Sequence, residues 1–322
     1  MSSAAITIQG LSKSYGKVRA LDELALTIES GPVGLLGPNG SGKTTLLKLL
    51  LGLLSPDAGT ARIAGMDPFT PAGRLALRRF VGYMPEGDCL IPGMSAVELV
   101  STLARLSGVS KDDAMTRAHE VLDYVGLDES RYRECDGYST GMKQRLKLAQ
   151  ALVHDPPILL LDEPTNGLDP KGRRHMLDLV HDLGHAQSKT LLLCSHLLPD
   201  VERCCRDVVV LQRGRVVAEG SIAALTRAEG HRVRAVVLGD PAPLCASLAA
   251  LAIPCEPSRS IGQPAGEGPH EIVAVLQSAD CDVLFTAAAR AGVSLLSVEP
   301  VRSSLEDVFV ATLATARNEE SA

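Results

Sequence analysis

Aromatic side chains are scarce in this sequence, which contains no tryptophan and only 3% aromatic residues. Leucine, valine and alanine must therefore fill most of any core. With 45% hydrophobic residues over 322 positions, there are enough of them for one large or two ordinary domains. No stretch of about 18 consecutive apolar residues occurs, so we expect no membrane-spanning helix. The first residues lack a basic segment followed by an apolar run, so we expect no signal peptide.

The eight cysteines lack the C-x-x-C spacing that is typical of zinc sites and redox motifs. We expect them to be reduced, and most of them to be small apolar core residues. The adjacent Cys204 and Cys205 could suggest a metal or redox site, but a helical pair without a partner motif favours a structural role. A net charge of −6 argues against general binding to nucleic acid or anionic membranes.

Residues 37–44 match the phosphate-binding loop pattern G-x-x-x-x-G-K-[ST] without a mismatch. A predicted buried strand, 33–36, precedes the loop, and a predicted helix, 45–51, follows it. Glycines let the backbone turn its N–H groups toward an anion, and the dipole of the helix favours the same ligand. Lys43 can contact the β- and γ-phosphates, and the Thr44 hydroxyl can hold Mg²⁺. A glycine-rich turn that binds nothing is the alternative, which the flanking elements disfavour.

Two carboxylates, Asp162 and Glu163, directly follow a second predicted buried strand, 158–161. Ligands bind beyond the C-terminal ends of parallel strands in open α/β sheets. We therefore expect Asp162 to hold Mg²⁺ and Glu163 to accept a proton from the attacking water. His196 follows another predicted strand at the same edge, where it could donate to a γ-phosphate oxygen. The alternatives are loop carboxylates without a role and a structural histidine.

Further positions have both a structural and a functional interpretation. Glu86 follows a predicted strand and could reach Mg²⁺ or the attacking water, or could be a plain loop residue. Tyr15 could stack on an adenine ring or be an exposed aromatic without a role. Ser139 is a plausible N-cap, and the same geometry would provide a second anion site. Asp169, capping a helix with Pro170 at its first position, has a sufficient structural explanation.

Five motifs occur in the order and spacing of ABC-type ATPases, which the chain resembles over about residues 5–227. They are the phosphate loop, the 139–145 signature, the acidic strand end 162–164, the Asp169 loop and Ser195-His196. The resemblance implies an α/β fold with a parallel core sheet, an antiparallel β-subdomain and a helical lobe. It also implies a head-to-tail homodimer with two ATP molecules. Each would be held between the phosphate loop of one subunit and the signature of the other.

The resemblance implies a role for each matching residue. ATP is expected to contact the phosphate loop, the next residue and an adenine-stacking tyrosine, which together are Tyr15, Gly37, Pro38, Asn39, Gly40, Ser41, Gly42, Lys43, Thr44 and Thr45. The residues expected to contact the partner's ATP are Ser139, Thr140, Gly141 and Asp169. Glu163 would be the general base and His196 the γ-phosphate switch. The Mg²⁺ ligands would be Thr44, Glu86 and Asp162.

Two positions depart from the usual family pattern. Thr140 stands where the signature usually has glycine, and because backbone N–H groups remain available we expect function with altered packing. Glu86 stands where many members have glutamine, and a carboxylate there could bind Mg²⁺ more tightly but would repel the γ-phosphate. Glu86 and the stretch 304–309 are similar to the ABC-2 type export branch.

We predict an ABC ATPase domain at 5–228, with its helical lobe at about 87–150, and a C-terminal accessory domain at 231–322. Strands and helices alternate in the second domain, and a strand near 255–261 would complete the β-α-β-β-α-β order of a ferredoxin-like fold. A final helix is expected at 304–316. A small accessory or dimer-contacting role is favoured over ligand sensing.

The expected function is that of an ATP-binding subunit that hydrolyses ATP to ADP and phosphate and drives transport, with a lean to export. Its partners would be a second copy and a separately encoded integral membrane permease, which would hold it at the cytoplasmic face of the cell membrane. The alternative is a soluble ABC ATPase that acts on ribosomes or DNA. A single ATPase module, the absence of a very long insertion before the signature and the acidic charge disfavour it, and we expect no nucleic-acid partner.

Overall fold

The computed structural model describes residues 4–226, 231–257, 269–276, 281–300 and 305. These residues form two compact units that divide between Ile222 and Ala223. In the part of the chain that the structure describes, every helix is too short or too polar to cross a bilayer.

The first unit alternates strands and helices. Its strands are β1 (Ile6–Tyr15), β2 (Val18–Ile28), β3 (Pro32–Leu36), β4 (Ala58–Ile63), β5 (Val81–Met84), β6 (Ile158–Asp162), β7 (Thr190–Cys194), β8 (Asp207–Gln212) and β9 (Arg215–Ser221). Its helices are α1 (Lys43–Leu50), α2 (Pro71–Leu77), α3 (Ala96–Leu106), α4 (Lys111–Tyr124), α5 (Thr140–Leu152), α6 (Pro170–His185) and α7 (Leu198–Cys204). A further short helix, α8 (Ile222–Leu225), lies at the division between the units.

The main sheet has the strand order β5-β6-β7-β3-β8-β9. Strands β5, β6, β7, β3 and β8 run parallel, and β9 pairs antiparallel with β8. Every residue of β3, β6 and β7 is buried, as their continuous apolar runs predict for strands covered on both faces. Because these strands are parallel, the motifs that follow them all lie at the C-terminal ends of the strands.

A second, antiparallel sheet has the order β2-β1-β4. Ile6 and Ile8 of β1 pair with Ile28 and Leu26 of β2, and all four are buried. They belong to one hydrophobic cluster with the apolar residues of α1. This sheet therefore supports the start of α1 and holds Tyr15, at the end of β1, near the phosphate loop.

The helical lobe contains α3 and α4, and both begin at serine N-caps. Ser95 and Glu98 form a reciprocal capping box at α3. Ser110 accepts the backbone N–H of Asp113 at 3.2 Å at the start of α4. These caps satisfy N–H groups that the first turn of a helix leaves without a partner.

The second unit contains β10 (His231–Leu238), α9 (Ala242–Ala249), β11 (Cys255–Pro257), β12 (Pro269–Leu276), α10 (Asp282–Ala291) and β13 (Ser294–Pro300). Its antiparallel sheet has the order β11-β12-β10-β13, and the chain order is the ferredoxin-like β-α-β-β-α-β. Its core is separate from that of the first unit and includes Val233, Leu244 and Ile272. The end of the predicted strand 255–261 and the predicted helix 304–316, apart from Leu305, lie outside the described residues.

All eight cysteines are free thiols, which agrees with the expected reduced state. Cys135, Cys194, Cys204 and Cys205 are buried, Cys89 is exposed, and the remaining cysteines are partly buried. The thiol of Cys204 donates to the carbonyl of Leu177 at 3.5 Å, which supports the structural interpretation of the 204–205 pair. Burial raises the pKa of Cys204 to about 12, so its thiol is not activated.

Candidate functional site

The phosphate loop connects β3 to α1 as the sequence predicts. Gly42, just before α1, has φ = +110°, and a Cβ there would lie 2.6 Å from the carbonyl oxygen of Ala20. A glycine is therefore required at this position both by conformation and by space. Lys43 is buried, and its ammonium donates to the carbonyl of Gly37 at 2.6 Å. The side chain of Lys43 thus lies against the phosphate loop, and its backbone lies at the N-terminus of α1.

An open cavity of about 480 Å³ lies above the loop, within the range of small-molecule sites. The predicted residues that line it are Tyr15, Asn39, Gly40, Ser41, Gly42, Lys43, Thr44, Thr45, Glu86, Asp162, Glu163 and His196. Gly37 and Pro38 do not line it, but their carbonyls accept hydrogen bonds from Lys43. Val18, Ala20 and Asn166 also line the cavity and were not predicted.

Asp162 ends β6 beside the start of α1. The Thr44 hydroxyl donates to its Oδ2 at 3.5 Å, and the aspartate is 2% exposed. Burial, and after it the nearby carboxylates of Glu86 and Glu163, raise the pKa of Asp162 to about 6 against the opposing effects of Lys43 and Thr44. Excess negative charge is therefore a property of this end of the cavity.

Glu163 and His196 form a direct pair that the sequence did not reveal. Nδ1 of His196 and Oε2 of Glu163 are 2.8 Å apart. The Glu163 side chain is buried, whereas that of His196 is half exposed to the cavity. Burial raises the pKa of Glu163, and the contact with His196 and the charge of Lys43 act in the opposite direction.

The backbone of Glu163 is strained, with φ = +50° in the left-handed region. Two hydrogen bonds hold it there, from its N–H to the carbonyl of Cys194 at 2.9 Å and from the N–H of Asn166 to its carbonyl at 3.1 Å. A non-glycine residue in this region costs free energy and persists where the surroundings fix it, often at functional sites.

Glu86, in the loop after β5, is held from two sides. The Asn166 amide donates to its Oε1 at 3.4 Å, and Nζ of Lys147 donates to its backbone carbonyl at 2.7 Å. Lys147 is 3% exposed, and burial lowers its pKa although nearby acidic groups favour its charged form. Neither Asn166 nor Lys147 was expected. Asn166 directly precedes the Asp169 loop, whereas Lys147 lies in mid-helix and carries no motif.

The signature residues lie in a different cavity of the same unit. This second cavity has a volume of about 710 Å³ and is lined by Ser139, Thr140, Gly141, Arg145, Gly167, Leu168, Asp169, Lys171, Gly172 and His175. It shares no lining residue with the phosphate-loop cavity. Two helices begin in it. Ser139 caps α5 by accepting the N–H of Met142 at 3.4 Å, and Asp169 caps α6 by accepting that of Gly172 at 2.9 Å.

Known proteins match the chain over most of its length. The ABC transporter family model matches residues 21–166. A Bacillus subtilis (strain 168) protein named uncharacterized ABC transporter ATP-binding protein YxlF is 39% identical over 229 residues, which cover 71% of this chain and 75% of the relative. This chain belongs to the ABC transporter ATP-binding proteins. The expected family and fold class are confirmed.

Other relatives and solved structures agree with this ATP-binding protein family. The Nod factor export ATP-binding protein I of Burkholderia orbicola (strain AU 1054) is 40% identical over 254 residues, which cover 78% of this chain and 83% of the relative. A dimeric post-hydrolysis state of the ATP-binding cassette MJ0796 bound to ADP and Pi has a TM-score of 0.62 at 27% identity and covers 67% of this chain and 98% of that one. The cbiO1 protein from Clostridium perfringens, part of the ABC transporter complex cbiONQ, has a TM-score of 0.61 at 27% identity and covers 68% and 88% of the two chains. The chain is an ATP-binding subunit of an ABC transporter and an ATPase.

Proposed function

We propose that this ATPase works as a head-to-tail homodimer that drives export through a separately encoded membrane subunit. The observation that supports it is the separation of the two predicted ATP-contacting sets into cavities that share no residue. A single ATP therefore needs a second copy if it is to contact both sets. Solved structures of the similar ATP-binding cassette MJ0796 are dimeric, which supports the same arrangement.

In the first cavity the loop 37–44 would bind the phosphates of ATP. Backbone N–H groups at the start of α1 and the helix dipole favour an anion there. Lys43 would exchange the Gly37 carbonyl for a phosphate oxygen, a stronger, charge-assisted partner. Tyr15, about half exposed at the edge of the cavity, offers a flat face to the adenine ring.

The residues at the acidic end fit a magnesium ion. Mg²⁺ prefers oxygen ligands, and this end of the cavity offers the hydroxyl of Thr44 and the carboxylates of Asp162 and Glu86. The described residues contain no group of three or more His, Cys, Asp or Glu side chains that could hold a metal alone. ATP phosphates would therefore complete the set of ligands. The ion would supply positive charge to the triphosphate.

Glu86→Gln tests this role of the carboxylate. The substitution is expected to change the Mg²⁺ dependence of hydrolysis more than the affinity for ATP. An identical Mg²⁺ titration would remove Glu86 from this role.

Hydrolysis would use the Glu163–His196 pair. Glu163 would accept the proton of the attacking water, and a carboxylate whose pKa is raised by burial is better suited to hold that proton. Nδ1 of His196 contacts the Glu163 carboxylate, which leaves Nε2 of the half-exposed ring for the γ-phosphate. Both nitrogens donate only in the imidazolium form, so His196 would have to be protonated to bind Glu163 and the γ-phosphate together. The partner's Ser139, Thr140, Gly141 and Asp169 loop would cover the same phosphate from the opposite side.

The direction and location of transport are inferred from relatives. Several relatives are named as Nod factor export proteins, which supports export, although their cargo is not assigned to this chain. The helical lobe, near Glu86 and the start of α3, would contact the separately encoded permease. This contact would hold the subunit peripherally at the cytoplasmic face of the membrane.

The test is co-expression of the chain with the membrane protein encoded by the neighbouring gene. We expect the ATPase to sediment with membranes and to co-purify with that protein in detergent. Expression without the membrane protein is the control. Full recovery in the supernatant in both cases would overturn the transporter role, and a salt-sensitive association with RNA or DNA would support the ribosome or DNA alternative.

A further inference from the structure

Lys147 is a buried lysine, and burial of its charged ammonium costs free energy. Only 3% of its surface is exposed, and its ammonium donates a hydrogen bond to the carbonyl of Glu86 at 2.7 Å. A charged group taken out of water needs hydrogen bonds and opposite charge close by. The groups that contact or face the Lys147 ammonium therefore indicate which negative charge it compensates.

The packing of α5 on β5 brings Lys147 to this place. A Cβ on Gly82 of β5 would lie 2.1 Å from the carbonyl oxygen of Ala151, so the backbone of α5 lies directly against the strand. The loop after β5 then follows one face of α5. Lys143, four residues before Lys147, pairs with Asp88 in that loop at 3.0 Å.

Negative charge surrounds the buried ammonium. The carboxylates of Asp88, Glu86 and Asp162 all favour the charged form of Lys147. The carboxylate of Glu86 also acts on Asp162 and Glu163. Lys147 therefore supplies positive charge on the protein side of Glu86, while Lys43 lies on the phosphate-loop side of the cavity.

A second contact from α5 reaches Glu86 by way of Asn166. Gln144 of α5 donates to the backbone carbonyl of Asn166 at 2.9 Å, and the Asn166 amide donates to the Glu86 carboxylate at 3.4 Å. The helix thus holds the Glu86 backbone directly and its carboxylate indirectly.

We propose that Lys147 is a positioning residue for ATP binding and hydrolysis, whose ammonium fixes the Glu86 loop and offsets the negative charge that Glu86 adds beside Asp162. The inference rests on the proposed function of the first cavity as the hydrolysis site. Without Lys147, the carboxylates at 86, 162 and 163 would repel the triphosphate more strongly.

The experiment is a double-mutant cycle with Lys147→Met and Glu86→Gln in the full chain. We expect Lys147→Met to weaken binding of a fluorescent ATP analogue without Mg²⁺ by about 3- to 10-fold and to lower kcat by a similar factor. In the Glu86→Gln background the same substitution should change either quantity by less than about twofold, because the charge to be offset is gone.

Lys189→Met is the matched control. Lys189 is also a largely buried lysine that donates to a backbone carbonyl, that of Pro156 at 2.9 Å, and it pairs with Asp155 at 2.7 Å. It lies just before β7, at the N-terminal ends of the parallel strands, whereas the phosphate-loop cavity lies at their C-terminal ends. We expect a loss of thermal stability from Lys189→Met with unchanged nucleotide affinity and kcat.

Equal losses from Lys147→Met in both Glu86 backgrounds, or no loss in either, would overturn the proposal. Should Lys147→Met not fold, Lys147→Gln keeps an amide donor without the charge and is interpreted by the same criteria. The Mg²⁺-free binding measurement needs neither a dimer nor a membrane partner. A failed dimer or permease test therefore counts against the proposed function alone, and absent coupling between 86 and 147 counts against Lys147 alone.

Discussion

At the scale of single residues, the molecule gathers three carboxylates beside one cavity. Asp162, Glu163 and Glu86 line one end of a cavity, and two of them are almost fully buried. Burial disfavours the charged forms of Asp162 and Glu163, the carboxylate of Glu86 makes both harder to ionise, and Glu163 does the same to Asp162. Such groups, together with the strained backbone of Glu163, are characteristic of a site prepared for a cationic or proton-transferring ligand.

The first residue-scale prediction concerns Glu163. Glu163→Gln keeps the shape of the side chain but cannot accept a proton, so we expect the rate of phosphate release to fall by about 10²- to 10⁴-fold. Binding of ATP should remain, because the phosphate loop is unchanged. Release of phosphate and equilibrium binding of a fluorescent ATP analogue would be measured side by side. Turnover near that of the wild type would exclude Glu163 as the base.

The second residue-scale prediction uses the raised pKa of Asp162. Its pKa is about 6 in the folded chain against an ordinary value of 3.8, so between these pH values the folded state holds more protons than the unfolded state. The free energy of unfolding contributed by this group therefore falls as pH rises from about 4 to 6. Asp162→Asn lacks this loss and should be more stable than the wild type at pH 7 by on the order of 1 to 2 kcal/mol without nucleotide.

Thermal unfolding of both proteins from pH 4 to 8, with no ATP or Mg²⁺, would measure the effect. The stability advantage of Asp162→Asn over the wild type should grow from about pH 4 to 6 and level off above pH 7. Asp178→Asn, on the exposed face of α6, is the control and should show little pH-dependent difference. A pH-independent difference for Asp162→Asn would contradict the raised pKa.

At the scale of elements, one helix serves both cavities. The N-terminus of α5 lies in the signature cavity, and two turns later its buried face reaches the Glu86 loop beside the phosphate-loop cavity. The sequence predicts this helix from an N-cap at Ser139 to about His154, and the structure has it from Thr140 to Leu152. The N-cap is explained by helix chemistry alone, so only its location can favour a second role.

Ser139→Ala separates these two roles when it is compared with Ser110→Ala. Both serines cap a helix by accepting a backbone N–H, at 3.4 Å for Ser139 and 3.2 Å for Ser110. Each substitution should lower the free energy of unfolding by about 0.5–2 kcal/mol. Only Ser139→Ala should also lower the ATPase rate, since α4 lies outside both cavities. Equal rates in the two variants would limit Ser139 to capping.

At the scale of the whole molecule, the residues proposed to contact ATP lie in two separate cavities of the described chain. The phosphate-loop cavity has the proposed base and the carboxylates, and the signature cavity has two helix N-termini. The second unit has its own core and a ferredoxin-like order of elements, and the described residues that line the two cavities belong to the first unit. Assembly of two copies is therefore the level at which the proposed hydrolysis site is completed.

Cross-linking would test that assembly. In a Cys89→Ser background, which removes the exposed cysteine, an Asn39→Cys chain would be mixed with a tagged Ser139→Cys chain and a short bis-maleimide. We expect an ATP-dependent product that joins one chain of each kind, because the proposed head-to-tail dimer would place the two positions on the same phosphates. Ser139→Cys chains alone are the control. Products that never contain both chains would contradict the arrangement.

Local spacing determined much of this protein from the sequence. The phosphate loop, the acidic end of β6 and the helix caps are consecutive residues whose chemistry follows from the elements beside them, so their pattern was sufficient. The continuous apolar runs likewise predicted buried parallel strands, and the alternation of strands and helices in the second domain predicted the ferredoxin-like order.

Only the tertiary structure decided which distant residues meet. His196 and Glu163 are 33 residues apart in sequence, and Lys147 and Glu86 are 61 apart, yet each pair forms a hydrogen bond. No local pattern marks such pairs, because strand order in the sheet and the close packing of α5 on β5 bring them together. The same packing separated the signature from the phosphate loop, which a linear sequence cannot show.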